Sequence, residues 1–264
     1  MPYDRSTPPP ARSWRGQLSQ GALLSWAAGF VDAFGYLYLA RVFTAHMSGN
    51  TSSFALFLSL HAWKQVAWHG WPIAMFAAGL LAGAAIMEGG RRLGRNGMAT
   101  VLILEVALIA GLLVAATDTA SGPLMGARGA LRWGIVALPA LAMGLQTVTI
   151  TRIGDLPIST TFITGSLAMF GENAVQFLFS LSARQPEERG AGRERLRHSA
   201  VALTLWVAFF AGALAGAAAK LGWGAAALGA PLVALAVVLW RCLHLGRTQA
   251  RASGRLLPGT PVRP

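Results

Sequence analysis

Charge is scarce in this chain. Asp, Glu, Lys and Arg make up 12 % of its 264 residues, while 54 % are hydrophobic and the mean hydropathy is +0.51. A soluble domain carries about a quarter charged residues. So few charges cannot cover a water-facing surface, which excludes an ordinary soluble globule and points to an all-α integral membrane protein. Cysteine is scarcer still. Cys242 stands alone, so neither a disulfide within the chain nor a Cys-based metal site can form. The five histidines, His46, His61, His69, His198 and His244, show no metal-ligand spacing. P-loop, GxGxxG, HExxH and G-x-S-x-G patterns are missing, and no nucleophile–base pair stands out. No enzyme, cofactor or metal is expected.

What charge there is has one dominant sign. The formal net charge of +12 would raise nucleic acid as a partner, but position argues against it. Arg91, Arg92 and Arg95 sit between two apolar stretches, Arg184 to Arg197 between two others, and half of the remaining basic residues lie in the tails. That distribution is the Lys/Arg excess that holds loops on the cytoplasmic side. The expected partners are the lipid bilayer, with anionic lipids at the basic loops and tails, and a small solute. Oligomeric state stays open.

Six apolar stretches are long enough, at about 20 residues, to cross a bilayer core: roughly 21–40, 70–88, 98–117, 130–150, 199–219 and 223–243. Trp71, Trp133, Trp223 and Trp240 fall near their ends, where amphipathic rings anchor to headgroups. Two further stretches, 42–61 and 158–181, are apolar behind a polar start, and each is a full span or a broken, re-entrant helix. The short basic loop 89–97 separates the two arrangements. Six spans plus two re-entrant segments put it in the cytoplasm with both termini, and eight full spans put it outside. The positive-inside rule favours the first. Residues 1–17 and 244–264 are expected as disordered tails around one transmembrane domain, 18–243.

An internal repeat, about 21–117 and 130–243, fits that organisation. The segment Phe76–Ala85 matches Phe209–Ala218 at eight of ten positions. Gly29-Phe-Val-Asp32 aligns with Met143-Gly-Leu-Gln146, and Met47-Ser-Gly-Asn50 with Ile163-Thr-Gly-Ser166. Three spans per half require the second half to be inverted, the architecture of many secondary transporters. Eight spans would give two parallel four-helix repeats instead.

Asp32, near the middle of the first stretch, is the costliest residue to place in lipid. It is either a solute or proton site facing the bundle interior, or a staple hydrogen-bonded to a neighbouring helix. Its repeat partner Gln146 keeps the hydrogen-bonding shape without titrating. Gly49 and Gly165 permit an unwound backbone, and Ser48, Asn50, Thr51, Thr164 and Ser166 can cap the helix that follows. The plain reading is an interfacial N-cap. The sharper one aims two positive half-helix ends at a shared solute. His46 could shuttle protons beside Asp32, and Glu172 is a further acid within the second broken segment. Arg41 and Arg152 are snorkelling end residues or gate charges on opposite faces. Glu105, near a helix start, reads as structural. The Gly79/Gly83 and Gly212/Gly216 pairs read as helix packing.

Taken together, Gly29-Phe-Val-Asp32, Phe43 through Met47-Ser-Gly-Asn-Thr51, Met143-Gly-Leu-Gln146 and Thr161-Phe-Ile-Thr-Gly165 resemble the YoaK-like family of bacterial multi-pass membrane proteins, a domain-of-unknown-function family. The likeness covers about 20–243, with Ser48 where the family usually has Thr. It implies a bacterial inner-membrane location and adds nothing on substrate. The expectation is a small permease for a polar or anionic solute, proton coupling included, set against a non-transporting membrane scaffold or stress-related protein.

Overall fold

The computed structural model describes residues 14–39, 41–117, 129–153, 156–161, 163–182 and 186–254. They form helices α1 (Trp14–Tyr38), α2 (Met47–Ser59), α3 (Trp63–Arg92), α4 (Gly97–Thr117), α5 (Ala130–Thr147), α6 (Ile163–Leu181), α7 (Pro186–Trp223) and α8 (Gly229–Gly254). A short antiparallel pair, β1 (Arg152–Ile153) and β2 (Leu156–Pro157), joins α5 to α6, and a 3-10 turn, Gly224–Leu228, joins α7 to α8. Helix intrudes on both expected tails. α1 takes in residues 14–17, and α8 continues through Gly246 to Gly254, with no proline in 245–253 to stop it and a glycine closing the run. Residues 1–13 and 255–264 lie outside the described part.

Among the described residues three stretches are long and apolar enough to cross a membrane: Trp63–Arg92, Gly97–Thr117 and Gly190–His244, the last holding most of α7 and of α8. Their outward side chains are apolar, with Leu81, Val114, Leu214, Leu221 and Val233 all exposed. An all-α membrane protein results. α1 and α5 lie deepest, with thirteen of 25 and ten of 18 residues buried. A helix wrapped in protein can carry polar residues at positions where lipid would exclude them, and these two helices carry Ser25, Asp32 and Gln146. α2 and α6 are peripheral, each burying a single polar residue, Asn50 and Ser166.

Glycines set the closest helix crossings. On α7, Gly212 and Gly216 lie against the carbonyls of Trp26 and Phe30 of α1. On α3, Gly79 lies against the Leu141 carbonyl and Gly83 against Leu145 of α5. In both pairs the contact numbers rise together, so α1 runs parallel to α7 and α3 parallel to α5. Where lipid tails are as apolar as leucine, close packing of this kind replaces the hydrophobic effect as the force between helices. The packing reading of both G-x-x-x-G pairs is thereby met.

Side-chain contacts show which helix ends lie together. Arg241 of α8 donates to Ser19 of α1 at 3.1 Å, and Asn96, in the α3–α4 connection, meets Cys242 at 3.5 Å. The start of α1, the 89–97 connection and Arg241 therefore share one end of the bundle. At the other end Trp71 Nε1 of α3 donates to the Trp133 carbonyl of α5 at 2.9 Å. α1 and α3 thus run in opposite directions, and α2 joins them at this second end. With 13 residues, α2 is about 20 Å long. It packs back along α3, Phe57 stacking on His69 at 5.2 Å.

Candidate functional site

The start of α2 is built around Asp32. The carboxylate, on the C-terminal third of α1 and 4 % exposed, offers Oδ1 to the backbone N–H groups of Thr44 at 2.7 Å, Ala45 at 2.6 Å and His46 at 3.3 Å. The Thr44 hydroxyl adds a fourth donor at 3.2 Å. Two of these amides belong to the connection leading into α2 and the third to its N-cap, and the partial positive charge of the helix start adds to their hold on a buried carboxylate. His46, the N-cap residue of α2, makes no side-chain cap bond; Asp32 supplies the acceptor from another helix.

Asn50 completes the turn. It is fully buried and clamps Phe43 on both backbone groups, Nδ2 donating to the carbonyl at 2.7 Å and Oδ1 accepting the amide at 3.1 Å. Gly49 lies in the regular first turn of α2, so the expectation of an unwound backbone there is corrected. Its missing side chain instead makes room for Phe43, whose Cδ2 would stand 2.9 Å from an added Cβ. The other candidates point away. Ser48 is exposed and meets His46 Nε2 at 3.1 Å, and the exposed Thr51 hydroxyl donates to the Met47 carbonyl at 2.9 Å.

The second turn repeats the plan with neutral groups. Gln146, fully buried on α5, donates through Nε2 to the Leu24 carbonyl at 2.9 Å and to Thr160 Oγ1 at 3.2 Å, and its Oε1 has no partner. Thr147 and Thr161 share a hydroxyl contact at 2.9 Å. α6 then begins at Ile163, so Gly165 too sits in a regular helical turn, with Thr164 exposed and Ser166 buried. Leu24 stands eight residues, about 12 Å of helix, from Asp32 on α1. Asp32 and Gln146 therefore serve separate places.

Packing also moves the repeat register by one residue. Gly29 lies against the Phe209 carbonyl and Gly144 against the Phe76 carbonyl, and Phe76 and Phe209 are repeat partners. Gly29 thus answers to Gly144 and Asp32 to Thr147. Sequence reading did not single out Thr44, Thr147, Thr160 or Thr161 as site residues; for Thr44 and Thr160 the signal was a hydroxyl twelve and fourteen residues beyond the buried Asp32 and Gln146.

The remaining candidates lie apart. Arg41 is exposed at the end of α1 with φ +65°. Arg152 opens β1; its side chain lies outside the described residues. The neighbouring Ile153 packs near Gly21, toward the start of α1, so the two arginines belong to opposite ends. Glu172 is exposed on α6 and accepts from Gln176 at 3.1 Å, away from both turns. Glu105, eight residues into α4, is fully buried with neither carboxylate oxygen partnered, a more consequential place than a helix start. Among the described cavities, one is lined by a candidate residue, Arg41. No group of three or more metal-ligating residues occurs among the described residues.

Helices with apolar outer faces and buried polar turns define an all-α integral membrane protein. The family model described as a protein of unknown function, DUF1275, matches residues 20–240, and the chain belongs to that family. It is 29 % identical over 160 residues to the UPF0700 transmembrane protein YoaK of Bacillus subtilis (strain 168), a stretch covering 60 % of this chain and 67 % of that relative. No solved structure matches.

Proposed function

We propose that the chain is a small permease of two inverted repeats in the bacterial inner membrane, with α1, α3, α4, α5, α7 and α8 spanning and α2 and α6 re-entrant. The termini, the 89–97 connection and the basic segment 182–198, expected as a loop but helical from Pro186 as the start of α7, face the cytoplasm. What carries this reading is the opposed direction of α1 and α3 with α2 joining them at a single end. An uncrossed 13-residue helix between two spans is the discontinuous element from which inverted-repeat transporters are built. The repeat partners also pack alike, α1 on α7 and α3 on α5. The solute is small and polar or anionic, and Glu105, buried without a partner, joins Asp32 as a proton-carrying candidate.

A second reading, a non-transporting membrane scaffold, draws support from the same turns. Asp32 is bonded within its own turn, Gln146 is bonded elsewhere, and no described cavity is lined by both. Purified protein in sealed liposomes with a pH-sensitive dye in the lumen tests the two. The permease reading expects solute-dependent flux across a metabolite panel that is reduced in Glu105→Gln. Absence of flux for every anionic and polar solute tried, from protein of correct fold, supports the scaffold.

A further inference from the structure

We infer that the end of the bundle where α3 and α5 begin carries a binding site for a small organic anion with a planar apolar body. A cavity of about 860 Å³ opens there, within the range that encloses a small-molecule ligand. Three cations line it, Arg41, Lys64 and Arg132, and no carboxylate is among the lining residues. None of the three takes part in a described ion pair. The walls between them are aromatic. Trp68 and Trp133 meet edge to face at 5.4 Å, and the Arg132 guanidinium lies 4.3 Å over the Trp68 ring.

Interfacial tryptophans and basic side chains by themselves make an ordinary headgroup belt. Two buried groups set this place apart. His69, 8 % exposed and lining the cavity, has Nδ1 without a partner, and Trp68 Nε1, also in the wall, is buried and unpartnered. Buried polar atoms are nearly always hydrogen-bonded, and those that are not mark a missing ligand or water. Both belong to residues of the wall that also carries the three charges, and an acceptor such as a carboxylate is the partner they lack. The tryptophan faces take the apolar body, as ligand pockets commonly combine an apolar wall with a few placed polar groups. Arg41 belongs to the site by its backbone as well. Its φ of +65° is a conformation that glycine adopts without strain and arginine does not, so the charge is held there against local preference.

The site stands whether or not the chain transports, since binding is measured without flux. The probe is 2-naphthoate, titrated against the full chain in neutral detergent and in phosphatidylcholine nanodiscs, followed by tryptophan quenching and calorimetry. Naphthoate is expected to bind, to weaken with added salt, and to bind about tenfold tighter than the neutral 2-naphthylmethanol, the weight of one charge-assisted contact. Arg41→Gly should weaken naphthoate without lowering the melting temperature, and the triple variant Arg41→Gly, Lys64→Gln, Arg132→Gln should weaken it by about tenfold or more. Equal affinity for acid and alcohol overturns the proposal. So does unchanged binding in a triple variant that melts like the parent. Nanodiscs containing phosphatidylglycerol separate a soluble anion from a headgroup. Retained naphthoate affinity supports the proposal, and loss of binding that depends on the three cations assigns the site to lipid and overturns it.

Discussion

Asp32 and Ala45 are joined across 13 residues by a 2.6 Å hydrogen bond from the Ala45 amide to Oδ1. The bond fastens the start of one helix to the body of another. In water such a turn could exchange partners with solvent. Inside the bundle the amides of Thr44, Ala45 and His46 have Asp32 as their common acceptor. Asp32 therefore holds α2 at its depth, in addition to any part it plays with a solute.

Asp32→Ala should lower stability by about 3 kcal/mol or more, since each buried amide left without an acceptor costs about 1–3 kcal/mol. Asp32→Asn keeps an acceptor oxygen and loses the charge facing a helix start, an effect of about 1 kcal/mol. Thermal unfolding in detergent would place Asn between Ala and the parent. Equal melting of all three proteins would remove Asp32 from the structure of the turn. If Asn also leaves flux unchanged, it leaves the mechanism as well.

Asn50→Asp and Asn50→Leu separate the two halves of the Phe43 clamp. Asp retains the acceptor for the Phe43 amide but offers the carbonyl no donor and brings a charge; Leu removes both bonds. Each buried group left unsatisfied is worth about 1–3 kcal/mol. Both variants should melt lower than the parent, and proteolysis should cut first within 40–47. Parent-like resistance in Asn50→Leu would show that Phe43 is held by its ring contacts alone.

Much of this was legible in the residues, for reasons that also explain the rest. Class followed from scarcity of charge, and Asp32 and Gln146 stood out because lipid penalises them. The glycine pairs declared close crossings. The register of the repeat was off by one because Gly29 and Asp32 were matched as a block. Backbone contact selects the glycine, and the carboxylate function passed to a different residue type in the second half. Glu172 was misleading because composition cannot tell an inward face from an outward one on a peripheral helix. The cavity around His69 was invisible, since its cations come from α3, α5 and the α1–α2 connection, remote in sequence.

Topology is tested by single cysteines in a Cys242→Ala background. Leu93, 70 % exposed, lies at the end shared with the start of α1, and the exposed His61 lies at the other end. Leu93→Cys should react with a membrane-permeant maleimide and resist an impermeant one in intact cells. His61→Cys should react with both. The reversed pattern would put the end shared by position 93 and the start of α1 outside the cell and overturn the cytoplasmic assignment of that end.

The last prediction concerns the two glycine crossings. An added Cβ at Gly144 would meet the Phe76 carbonyl, and one at Gly29 the Phe209 carbonyl. These are backbone atoms, which cannot rotate aside as a side chain can, so the helices must separate. Overpacking of this kind costs about 1–3 kcal/mol, and loss of the close contact weakens the van der Waals attraction that holds helices together in lipid. Gly29→Ala and Gly144→Ala should therefore each lower the melting temperature, and to a similar extent if the crossings are equivalent. Gly134, on α5 with nothing within 4 Å of an added Cβ, is the control. There alanine should leave stability equal or raise it by about 0.4–1 kcal/mol, since it restricts the unfolded chain. A drop at Gly134 as large as at Gly29 would mean that helix glycines act here through something other than close approach. A drop at Gly29 with none at Gly144 would break the equivalence on which the register Asp32–Thr147 rests.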